Sequence, residues 1–81
     1  MRYKKPTAVK PLDNYCLELT YSGKKRPRIF DVKPYISGSW FEELADKEYF
    51  SKVYVGEITV EWPNGQDLEP EELYRNSKPV R

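Results

Sequence analysis

The 81-residue sequence contains no histidine, a single cysteine and a single methionine. Without histidine there is no imidazole general base, no Ser-His-Asp triad and no ordinary zinc site. One cysteine excludes an intrachain disulfide framework. No apolar run approaches the roughly 20 residues of a membrane span, and the basic start lacks the apolar core of a signal peptide. The expected class is therefore a single small cytosolic domain, with no catalytic residues, no metal, no cofactor and no membrane contact. A chain of this length buries only about two-thirds of its unfolded surface, so its stability margin is small.

What is present is charge of both signs, unevenly placed. The formal net charge of +1 hides a division of the chain. Residues 1–33 hold nine basic and three acidic residues, whereas residues 34–81 hold five basic and ten acidic. The basic half includes Arg2, Lys4, Lys5, Lys10 and the run Lys24-Lys25-Arg26-Pro27-Arg28. Lys24, Lys25, Arg26 and Arg28 form a candidate patch for nucleic acid or an acidic partner, with Tyr3, Tyr21 and Tyr35 as conceivable stacking surfaces. A plainer account is that lysines at a hairpin tip deter edge-to-edge strand pairing.

Short strands dominate the pattern. Ala8–Leu12 reads as a first strand ending at Asp13-Asn14. Tyr15–Tyr21 alternates, placing Tyr15, Leu17, Leu19 and Tyr21 on a buried face and Cys16, Glu18 and Thr20 on the other. Ser22-Gly23 turns the chain into a return strand over Arg28–Val32, with Phe30 and Val32 inward. Trp40, Phe41 and Leu44 are expected to supply core bulk. Asp46 suits the N-cap of a brief helix over Lys47–Lys52. Val53–Val55 and Ile58–Trp62 read as a second hairpin pair, with Ile58, Val60 and Trp62 facing one way. Pro63-Asn64-Gly65 makes a turn, and Pro70 opens a last helix to about Arg75. The prediction is an α+β domain over residues 8–75. It consists of a mostly antiparallel sheet of four or five short strands with two short helices on one face, and frayed ends at 1–7 and 76–81.

Three stretches resemble a small bacterial family catalogued only as a domain of unknown function, number two-four-four-two. They are Val9–Tyr15, Phe30–Pro34 and Trp62–Tyr74, the last of the form W-P-N-G-x-D-[IL]-x-P-x-x-L-Y. The resemblance implies a compact α+β domain. Relatives occur alone or joined to a helix-turn-helix, and are often encoded beside a second small protein, as in a toxin–antitoxin pair. It implies no catalytic residues.

Trp62–Tyr74 is also the first candidate site. Trp62, Asn64, Asp67, Glu71 and Tyr74 could frame a notch for a protein partner. On the plainer account Asp67 caps the loop, while Trp62, Leu68, Leu73 and Tyr74 fill the core. The acidic set Glu57, Glu61, Asp67, Glu69, Glu71 and Glu72 lacks the spacing of a calcium loop and reads as a solvated face. Cys16, on the polar side of its strand with no base nearby, reads as structural. The expected function is a non-catalytic interaction module binding a small protein, as the antitoxin-like member of a pair. The alternative is a nucleic-acid-binding or transcription-associated accessory domain using the Lys24–Arg28 hairpin.

Overall fold

The computed structural model describes residues 5–80. Strand β1 (Pro6–Leu12) runs antiparallel to β2 (Cys16–Tyr21), with Val9 opposite Leu19. β2 pairs with β3 (Arg28–Asp31), and β3 pairs with the last strand, β6 (Lys78–Pro79). The sheet order is β1-β2-β3-β6, and β4 (Tyr54–Val55) and β5 (Val60–Glu61) form a separate two-stranded antiparallel ladder. Helices α1 (Gly38–Phe41), α2 (Lys47–Phe50) and α3 (Pro70–Arg75) are short, and 3-10 turns cover Asp13–Tyr15, Lys33–Tyr35 and Glu42–Ala45. The fold is α+β.

The period-2 pattern of β2 is realised in the core. Leu17, Leu19 and Tyr21 are buried, while Glu18 and Thr20 lie on the wetter face. Phe30 and Val32 meet them from β3 and its end, and Leu44, Phe50, Val60, Trp62 and Leu73 complete one cluster. Each fully buried side chain of this size contributes about 1.5–3 kcal/mol against exposure. Asp46 caps α2 as its sequence position predicts, its Oδ1 accepting from the Glu48 amide at 3.0 Å. Pro70 occupies the first turn of α3, where its missing N–H leaves no bond unmade.

Four expectations need correction. Tyr15 is not on the strand face; it closes the β1–β2 turn with φ 59 beside Asn14 at φ 66. Its left-handed backbone is offset by a hydroxyl that donates to the Ala45 carbonyl and a ring set edge-on to Phe50 at 5.3 Å. Ile58 is 64% exposed while Thr59 is buried, because the regular ladder is only two residues long. Gly56–Thr59 is instead a turn closed by the Gly56 amide on the Thr59 carbonyl, and it resets the alternation. Trp40, expected as core, is 56% exposed. Three short helices form where two were expected, the additional one, α1, opening at Gly38 with φ +77.

The chain ends also depart from the expected fraying. Pro6 is buried in β1, and β6 closes the sheet with the Val80 amide bonded to the Pro27 carbonyl. Residues 1–4 and 81, which include the predicted Arg2, Tyr3 and Lys4, lie outside the described residues.

Candidate functional site

The turn after β5 is built on buried hydrogen bonds. The Gly65 amide bonds the Trp62 carbonyl at 2.9 Å, and the Trp62 amide bonds the Gln66 carbonyl at 2.8 Å. Gly65 sits at φ +99, a conformation that costs a side-chain-bearing residue about 1 kcal/mol or more. Trp62 is fully buried, its indole N–H donating to the Phe50 carbonyl at 2.9 Å. It is a core anchor and not a ligand contact.

Gln66 is the hub of this turn. It is buried, and its Oε1 accepts from the Tyr49 hydroxyl at 2.7 Å. Its Nε2 donates to the Trp40 carbonyl at 3.1 Å and to Glu43 Oε1 at 3.0 Å. The Tyr49 hydroxyl in turn accepts from the Asn64 amide at 2.8 Å. The Asn64 side-chain amide lies across both Glu43 oxygens at 2.9 and 2.7 Å. The turn is thereby fastened to the helical segment 38–45, and the exposed Trp40 ring lies over Gly65, about where a Cβ there would touch it (3.7 Å).

The electrostatics follow from these donors. The Asn64 and Gln66 amides hold the Glu43 carboxyl below the usual carboxylate range. Both donors are neutral, and among the described residues the ion pairs are Lys33–Asp31 and Arg75–Glu71, neither involving Glu43. Among the described residues, the surface around Trp40 therefore carries a negative charge held by neutral donors, with no cation within ion-pair distance.

The five residues of the predicted notch divide between different partners. Trp62 and Asn64 belong to the turn just described. Asp67 is exposed in an isolated bridge with Glu61, and its carboxylate accepts no hydrogen bond among the described residues, so it does not cap the loop. Glu71 pairs with Arg75 one turn along α3. Tyr74 packs edge-on to Tyr21 at 5.0 Å and carries the Arg28 guanidinium 4.4 Å above its ring. The rest of the acidic set is dispersed as well. Glu61 accepts from Tyr54 and Glu72 from Tyr35, and no three potential ligands converge on a metal position among the described residues.

The basic patch is likewise divided. Lys24, Lys25 and Arg26 are exposed at the β2–β3 turn, where Gly23 adopts φ +81. Arg28 is turned inward and is not free at the surface. Its Nε donates to Ser77 Oγ at 2.6 Å and its Nη2 to the Ser77 carbonyl at 2.7 Å, tying β6 to β3. A cleft of about 250 Å³ lies between the turn and β6, lined by Lys24, Lys25, Arg26, Arg28 and Pro79. Cys16 is half-buried and unpaired, its thiol directed to the Asn14 carbonyl at 3.7 Å.

Sequence reasoning missed Gln66, Trp40 and Glu43. A signal for the first exists: Gln66 and Leu68 are buried between exposed Gly65, Asp67 and Glu69, an extended-chain alternation that continues past the turn. No helix among the described residues is long and apolar enough to cross a membrane. No curated protein and no solved structure matches the chain significantly. The family described as "Protein of unknown function (DUF2442)" matches residues 6–79, and the chain belongs to that family.

Proposed function

We propose that the chain is a small non-catalytic module that binds a protein partner through the surface around Trp40, as the antitoxin-like member of a two-gene pair. The observation that carries this reading is an exposed tryptophan, Trp40, 56% accessible, whose backbone carbonyl is anchored by the buried Gln66. Tryptophan is the residue type most enriched among interface residues that dominate binding energy, and an anchored one loses little entropy on docking. Asn64 and Glu43 beside it provide the polar edge that such contacts use. The test is co-expression with the product of the adjacent gene. A complex that survives purification and is lost with Trp40→Ala supports the reading; no complex at micromolar concentration refutes it.

A second reading, nucleic-acid binding, rests on the cationic cleft. Lys24, Lys25 and Arg26 line it without a carboxylate, and a neighbouring hollow of about 510 Å³ continues along Arg26, Lys78, Pro79 and Val80. With Arg28 committed to Ser77, the exposed lining offers four cations. This reading requires affinity that falls steeply with salt and drops on reversing Lys24, Lys25 and Arg26. A flat salt response removes it.

A further inference from the structure

Trp40 and Glu43 are three residues apart in a continuous helical run, α1 followed by a 3-10 turn. At that spacing side chains share one face, and in 3-10 geometry they eclipse. Both also converge on the same turn: the Trp40 ring lies over Gly65, and the Glu43 carboxylate is held by Asn64 and Gln66. The structure thus brings an open aromatic face and a fixed anion together.

Counting acceptor sites defines what can fill the remaining space. An ionised carboxylate offers about four lone-pair positions. Glu43 Oε1 uses two, on Asn64 and Gln66, and Oε2 uses one, on Asn64. Among the described residues, nothing fills one remaining position on Oε2. A ligand that would complete it donates an N–H to this oxygen; positive charge would match the carboxylate, and a flat face would match the exposed Trp40 beside it. A guanidinium meets all three conditions, because it is planar, always charged and stacks on aromatic rings. An ammonium meets the charge condition but cannot stack. A neutral urea can stack but supplies no charge.

We propose that Trp40 and Glu43 form a receptor for an arginine side chain of the partner protein. The inference deepens the protein-binding reading and rests on it. Gln66 and Asn64 are positioning residues here: they fix the carboxylate and the turn beneath the ring, and they leave the guanidinium to Trp40 and Glu43.

The experiment needs no partner protein. The probe is the blocked peptide acetyl-Gly-Arg-Gly-amide, titrated into the nitrogen-15-labelled full chain, with its lysine and citrulline counterparts in parallel. The Trp40 indole N–H resonance reports binding, and the buried Trp62 indole, bonded to Phe50, reports fold integrity. The expected result is a saturable millimolar shift of the Trp40 resonance with the arginine peptide, a weaker one with lysine and none with citrulline. Glu43→Gln should weaken binding by about tenfold or more, the scale of one charge-assisted hydrogen bond. Trp40→Leu, at an exposed position, should abolish saturable shifts of the Asn64 side-chain amide while leaving Trp62 unmoved.

An equal response to citrulline, unchanged binding in Glu43→Gln, or a shift that never saturates would overturn the receptor. If Glu43→Gln displaces the Trp62 resonance, Trp40→Leu decides alone. A silent titration alongside a Trp40-dependent complex refutes the arginine receptor and leaves the module intact. Failure of both refutes both.

Discussion

Replacing Gln66 with leucine removes the hub of the turn while nearly keeping its volume. The substitution deletes the bond from Tyr49 Oη and the bonds to the Trp40 carbonyl and the exposed Glu43 carboxylate, at 2.7, 3.1 and 3.0 Å. Each neutral bond contributes about 1 kcal/mol net. The Tyr49 hydroxyl still accepts from Asn64, but its proton is left buried without an acceptor, which costs about 1–3 kcal/mol. Leucine recovers part of this through its greater hydrophobicity. The expected loss is about 2–3 kcal/mol, or a fall in Tm of about 10–20 °C for a domain of this size. Urea unfolding followed by tryptophan fluorescence and circular dichroism measures it. A second outcome is specific to the geometry: the Trp40 indole resonance should broaden or move, because its carbonyl anchor and one of the three bonds to the Glu43 carboxylate are gone. A loss below about 0.5 kcal/mol, the ordinary scale of a surface substitution, would refute the assignment of Gln66 as the hub.

Three further outcomes follow from the same physics. The Tyr21 hydroxyl is buried without a hydrogen-bond partner among the described residues, and burial pushes its pKa up to about 12. Ionising it in the folded protein is therefore penalised, so stability is unaffected below pH 10 and falls by about 2–3 kcal/mol as pH rises from 10 through about 12. Tyr21→Phe should be neutral or stabilising by up to about 1 kcal/mol and should flatten that alkaline loss; a clear destabilisation at pH 7 contradicts the unpartnered hydroxyl. Arg28→Ala should cost about 2–3 kcal/mol and raise amide exchange in β6, since it removes the Ser77 bonds and the stacking on Tyr74. Unchanged protection at Lys78 and Val80 would show that β6 is held otherwise. Asp46→Ala should cost about 1 kcal/mol through the lost cap of α2, and Asp46→Ser should restore most of it in thermal unfolding.

The strands that form one buried face were legible because their period is enforced over several residues. Leu17, Leu19 and Tyr21 alternate over a whole strand, and Asp46 and Pro70 have only one favourable local use. Ile58 and Trp40 misled for a common reason. Apolarity alone does not tell a core position from a surface one when the regular element around it is two to four residues long. β6 was invisible because Lys78–Pro79 gains its identity from pairing with β3 and the Arg28 tie, both nonlocal. The candidate site was half legible. The W-P-N-G turn stood out, but Glu43 and Gln66 lie 23 residues apart, and no local pattern joins them.

The most direct test of the Trp40–Glu43 face compares two variants in one binding assay against the co-purified partner. Trp40→Ala should raise the dissociation constant by at least about thirtyfold, the scale of an interface residue worth 2 kcal/mol. The triple reversal Lys24→Glu, Lys25→Glu, Arg26→Glu should leave it within about threefold. The opposite pattern, with Trp40→Ala silent and the reversal abolishing the complex, would move the binding surface to the cationic cleft and contradict the account.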